Sequence, residues 1–61
     1  MKYSELKKLL KAHGCKLDHE GGNHEIWYSP ITGKMFPIGR HKAEEVAAGT
    51  LKAILKQAGI N

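Results

Sequence analysis

Only one of the 61 residues is a cysteine, Cys15, so no internal disulfide can form. A lone thiol fits a reducing compartment. No apolar run approaches the roughly 20 residues needed to cross a bilayer. The opening stretch MKYSELKK turns polar where a signal peptide would be apolar. Linkers, repeats and low-complexity segments are also missing. These absences lead to the expectation of one soluble domain, residues 1–61, in the cytoplasm, with no membrane partner. A domain of this size buries only roughly 60% of its unfolded surface, so its stability margin is thin. Acidic residues are scarce too: six Asp and Glu stand against ten Lys and Arg, for a net charge of +4 and a pI of about 9.4. That balance suits a polyanionic partner such as nucleic acid, although solubility alone also accounts for it.

Hydrophobic periodicity organises the rest. Residues 4–13 read as a first helix, capped by Ser4, with Glu5 near its positive end. Leu6, Leu9, Leu10 and His13 share one face, while Lys7, Lys8 and Lys11 fall largely on the solvent side. Gly14 is a natural stop. Residues 15–20 read as a short strand in which Cys15, Leu17 and His19 share a face. Gly21-Gly22-Asn23 signals a tight turn, and a second strand runs from His24 to Ser29. The turn at Ile31-Thr32-Gly33 leads to a third strand over about 34–38, where Pro37 argues for an edge strand or an early end. Residues 39–49 read as a loop with one irregular helical turn. Thr50 then caps a second helix with the stripe Leu51, Ile54, Leu55, Ala58 and a stop at Gly59. Two such helices can bury their stripes on one face of an antiparallel sheet. Within the second strand, Ile26 and Trp27 compete for the core, so the pattern leaves open which face His24 shares.

Four segments together resemble the HicA family. They are G-G-N-H at 21–24 before an apolar-aromatic strand, G-R-H at 39–41, the ending G-T-L-K-A-I-L-K-Q-A-G-I at 49–60, and the opening Y-S-E-L-K-K-L-L-K-A-H-G. Nearly the whole chain is covered. Gly39 departs from the pattern, since many members carry proline there. The resemblance implies an α+β fold similar to double-stranded-RNA-binding domains, α-β-β-β-α, with a three-stranded antiparallel sheet. It implies the toxin of a HicA–HicB type II toxin–antitoxin pair, an mRNA interferase that inhibits translation, and a HicB-type antitoxin covering the active site. It also implies one essential histidine after the glycine turn, which falls on His24, with Gly22 as the matching glycine.

The chemistry is consistent with those residue types. RNA carries its own nucleophile: a base removes the 2′-hydroxyl proton, the oxygen attacks phosphorus, and an acid protonates the departing 5′ oxygen. Histidine suits these transfers because its ordinary pKa, about 6.5, lies near working pH. Gly21 and Gly22 would let a phosphate approach the backbone closely. His41 is the second candidate, as acid partner or substrate-orienting group. His13 and His19 read as structural. Arg40 has the planar fork that best suits a phosphorane, and Lys34, Lys42, Lys52 and Lys56 are candidate RNA contacts. Trp27 and Tyr28 can stack on bases or pack in the core. Four residues of strand span about 13 Å, so Cys15 and His19 cannot both bind one zinc ion. No metal or cofactor is expected. The rival readings are a non-catalytic RNA- or DNA-binding module of the same fold, and a protein–protein adaptor with incidental charge.

Overall fold

The computed structural model describes residues 1–40 and 43–60. Among them, the chain forms α1 (Tyr3–Ala12), β1 (Lys16–Gly21), β2 (His24–Ser29), β3 (Lys34–Gly39) and α2 (Ala48–Ala58). The strands make one antiparallel sheet in the order β1-β2-β3. The expected α-β-β-β-α arrangement is therefore present, and Pro37 lies on an edge strand, where its missing N–H costs no ladder bond.

Trp27 wins the competition for the core. It is buried, with Leu6, Leu10, Cys15, Phe36, Ile38, Val46, Ile54, Ala58 and Ile60, while Ile26 is only half-buried. Trp27 pairs with Phe36 across β2 and β3, so these alternate residues face the helices. His24, Ile26 and Tyr28 consequently face the opposite, uncovered side of the sheet.

Both helices end in the same way. Gly14 and Gly59 adopt φ of 88° and 79°, values that L side chains resist. After α1, the Cys15 N–H donates to the Leu10 carbonyl at 2.9 Å and the Gly14 N–H to the Lys11 carbonyl at 3.0 Å. After α2, Ile60 and Gly59 donate to Leu55 and Lys56 at 2.9 and 3.2 Å. These are Schellman stops, and each drops an apolar residue, Cys15 or Ile60, into the core. The β2–β3 turn reinforces the second stop: Ser29 Oγ donates to the Ala58 carbonyl at 2.6 Å, and Thr32 Oγ1 to the Gln57 carbonyl at 2.7 Å.

The starts of the helices differ from the sequence reading. Ser4 and Thr50 lie inside the helices, which begin after Lys2 and Ala47. Glu5 takes over at α1 by accepting the Lys2 backbone N–H at 2.8 Å. The stretch before α2 is not the expected helical turn at Glu45, which instead bridges to Lys2 in an antiparallel pair. That pairing carries Val46 into the core.

Lys7 is a further correction. It is buried rather than solvated, and its ammonium forms an ion pair with Glu25 at 3.0 Å. Glu25 also accepts the Trp27 indole N–H at 3.1 Å. Burial pushes the Glu25 carboxyl up, but Lys7, the indole N–H and the charge of Arg40 outweigh it and hold the group below the usual carboxylate range. This contact ties α1 to β2. Lys11 adds to it, with its ammonium 6.0 Å from the Trp27 ring centre.

Candidate active site

His24 is the first residue of the central strand and is exposed on the uncovered face. A two-residue loop, Gly22-Asn23, precedes it, because Gly21 pairs directly with His24. Gly22 has φ 55°, the positive value that a type II′ turn requires at its first position. A side-chain carbon placed at Gly22 would meet nothing within 4 Å, so the approach to His24 from the turn is open.

The register makes the surroundings of His24 more open still. Its partner on β1 is Gly21 and its partner on β3 is Gly39. Neither partner has a side chain, although Ile26 leans over Gly21, its Cγ1 3.4 Å from where a side-chain carbon there would stand. The same glycine that departs from the family pattern, Gly39, stands on the other side. Beyond it, the next row across the face is His19, Ile26 and Pro37, and the row after that is Lys16, Tyr28 and Met35. Met35 is 54% exposed, which gives this face an apolar floor. Tyr28 is half-buried on this face, whereas Trp27 is core and presents no ring to a base.

The candidate cations are dispersed. Arg40 follows Gly39 and so lies at the same end of the sheet as His24. Its guanidinium is held by the exposed Glu20 at 2.8 Å, and Glu20 stands opposite Glu25, on the helix-facing side of the sheet rather than on the side of His24. Lys34 pairs with Ser29 at the far end of β2, about 17 Å along the strand from His24. Lys52 and Lys56 are exposed on α2, in the helix layer, while His24 belongs to the other face. An RNA that touched both would have to turn round the edge of the sheet. His41 and Lys42 lie outside the described residues. His13 ends α1 and is exposed, away from the apolar face expected for it. Among the described residues, no group of three or more His, Cys, Asp and Glu is arranged to hold a metal ion, and no helix is long and apolar enough to cross a membrane.

β1 holds a feature that alternation hid. The register shifts between Leu17, opposite Trp27, and His19, opposite Ile26, so β1 carries a bulge at Asp18. His19 is thereby moved off the Leu17 face and onto the face of His24. The Asp18 carboxylate accepts a hydrogen bond from His19 Nδ1 at 2.7 Å.

Two helices packed on one side of a three-stranded antiparallel sheet, with a glycine-flanked histidine on the open side and a net charge of +4, define a small α+β domain similar to double-stranded-RNA-binding domains. Comparison with known proteins makes the assignment specific. The family model described as the HicA toxin of bacterial toxin–antitoxin systems matches residues 3–60, and the chain belongs to that family. A relative from Pseudomonas fluorescens (strain Pf0-1), named "Probable mRNA interferase HicA", is 37% identical over 60 residues, covering 98% of this chain and 97% of its own length. No solved structure matches the chain at a significant level.

Proposed function

We propose that this toxin is a metal-independent endoribonuclease that cleaves messenger RNA, with His24 as the group that takes the 2′-hydroxyl proton. The observation that carries this reading is the placement of His24: exposed, on the central strand, and flanked by Gly21 and Gly39. A bulky phosphodiester can approach the backbone beside the imidazole at Gly39, and on the Gly21 side it meets only the apolar Ile26 side chain that leans over that glycine. Among the described residues His24 makes no hydrogen bond or ion pair, so its imidazole is free to meet a substrate. The attacking nucleophile belongs to the substrate, so the protein need only move protons and stabilise charge.

Partner and regulation follow from the same site. A HicB-type antitoxin would cover His24 and nearby cations such as Arg40, excluding RNA without unfolding the toxin. An acidic partner patch would be drawn to the basic surface, and binding to the folded form alone would raise the stability of so small a domain.

The test is cleavage of a defined transcript by purified protein in excess EDTA. Products ending in 2′,3′-cyclic phosphate, with no cutting at 2′-deoxy-substituted positions, are expected. Cutting of DNA, or full inhibition by EDTA, would overturn the mechanism. The antitoxin reading is tested separately by titrating RNA into the toxin–HicB complex, which is expected to take up no RNA.

A further inference from the structure

An acid must protonate the departing 5′ oxygen if His24 acts as the base. We propose that this acid is His19, with Asp18 as its positioning residue; the inference rests on the reading of His24 given above. The β-bulge is what brings the pair into play. In a regular strand, Asp18 and His19 would point to opposite faces. The extra residue abolishes that alternation, and the two side chains meet at 2.7 Å. Bulges commonly re-aim a side chain next to a reactive site. Here the re-aimed side chain is placed opposite Ile26, on the face that His24 shares.

The spacing is suitable. His19 and His24 are diagonal neighbours across β1 and β2, which places their backbones about 7–8 Å apart. Gly21, opposite His24, adds no side chain of its own, and Ile26 leans over it, its Cγ1 3.4 Å from where a Gly21 side-chain carbon would stand, as an apolar floor between the two imidazoles. A phosphodiester lying there would have one imidazole on the 2′ side and the other on the 5′ side. His19 is also open to substrate, with its side chain 57% exposed. The carboxylate of Asp18 can only accept, so Nδ1 carries a proton and Nε2 is the nitrogen turned to the substrate. Among the other described histidines, His13 ends α1 and is not on this face.

The step balances. His24 takes the 2′-hydroxyl proton, the 2′ oxygen bonds to phosphorus, and the bond from phosphorus to the 5′ oxygen breaks. His19, which must enter the step as the imidazolium with a proton on both ring nitrogens, gives the Nε2 proton to that oxygen. The products are a 2′,3′-cyclic phosphate and a 5′-hydroxyl, and the two histidines then exchange protons with water to reset.

The experiment compares two short oligoribonucleotides spanning a site that the wild-type protein cuts. One is ordinary RNA. In the other, the scissile 5′ oxygen is replaced by sulfur, which departs as a thiolate and needs no acid, since thiols ionise near pH 8.5. His19→Ala is expected to lose about 100-fold in rate on ordinary RNA, the lower end of what a general acid contributes, and to come within about tenfold of wild type on the sulfur substrate. Asp18→Asn should lose about tenfold on ordinary RNA and likewise recover. His24→Ala should be slow on both. Should His19→Ala fold poorly by circular dichroism, His19→Gln, which keeps a donor for Asp18, replaces it. An undiminished rate on ordinary RNA, or an equal loss on the two substrates, overturns the assignment. If the wild-type protein cuts no transcript, so that no such site can be mapped, the ribonuclease reading itself has failed rather than the role of His19.

Discussion

Glu25→Gln should cost far more than its conservative chemistry suggests. Glu25 is 17% exposed and Lys7 10% exposed in their side chains, and the Lys7 ammonium is sealed from water. Replacing the carboxylate by an amide keeps an oxygen to accept the Trp27 N–H but leaves the Lys7 charge buried without a counter-charge. Breaking one partner of a buried pair costs about 3–5 kcal/mol. The partial exposure of Glu25 and the surviving amide oxygen place this case near 2–3 kcal/mol. A chain of 61 residues has only about 3–9 kcal/mol in total. At this size, that loss lowers Tm by roughly 15–25 °C. The double variant Lys7→Met with Glu25→Gln removes both charges and should stay within about 1 kcal/mol of wild type. The pH dependence has a definite sign. Glu25 is held below its ordinary value in the folded state, so the unfolded state binds the proton first. Its stabilisation is complete above the usual carboxylate value, about 4.3, and is lost as pH falls through the lower native value. Thermal melts from pH 7 down to pH 3 should therefore show a steeper acid decline in wild type than in Glu25→Gln. Equal stability of the single and double variants would refute the reasoning, because it would mean that no buried charge had been stranded.

Gly59→Ala should destabilise by about 2–4 kcal/mol in urea melts, since φ is 79° and the added carbon would come within 2.7 Å of Ile31 and 2.9 Å of Thr32. Gly22→Ala, at φ 55° in open space, should cost only about 1–2 kcal/mol; equal losses would show that the contacts at Gly59 relax freely. Replacing Lys52 and Lys56 together with Ala should reduce the salt dependence of single-stranded RNA binding by about 1.4 in log–log slope, from roughly 0.7 per phosphate contact. An unchanged slope would confine the RNA to the open sheet face.

The termini of the helices show which signals a sequence carries well. Gly14 and Gly59 announce the stops because a left-handed residue excludes almost every other side chain, so the local constraint alone decides the outcome. Ser4 and Thr50 misled because many side chains can start a helix; at α1 the strand-like pairing of Lys2 with Glu45 fixes where the helix begins. Lys7 looked solvated because its carboxylate partner, Glu25, is 18 residues away in the chain. The three strands followed from the glycine turns, and of the two readings that Pro37 allowed, an edge strand or an early end, the structure shows the edge strand, with β3 running on to Gly39. Which side of β2 faces inward did not follow, since Ile26 and Trp27 are both apolar and only packing against Leu6 and Phe36 decides between them. Alternation put His19 with Leu17 and so treated it as structural. The bulge that moves it beside His24 leaves no signature in the residue pattern, although Asp18 next to His19 was a hint that a local contact could form.

The rate of RNA cleavage by His24→Ala tests the central claim most directly. The wild-type and variant proteins would be compared on one transcript, in EDTA, after melting has shown both to be folded. His24 is exposed and makes no hydrogen bond or ion pair among the described residues, so stability should change by no more than about 0.5 kcal/mol. Cleavage should fall at least about 100-fold. A folded His24→Ala protein that cuts at the wild-type rate would contradict the account, because the glycine-flanked histidine would then not be the group that moves the proton.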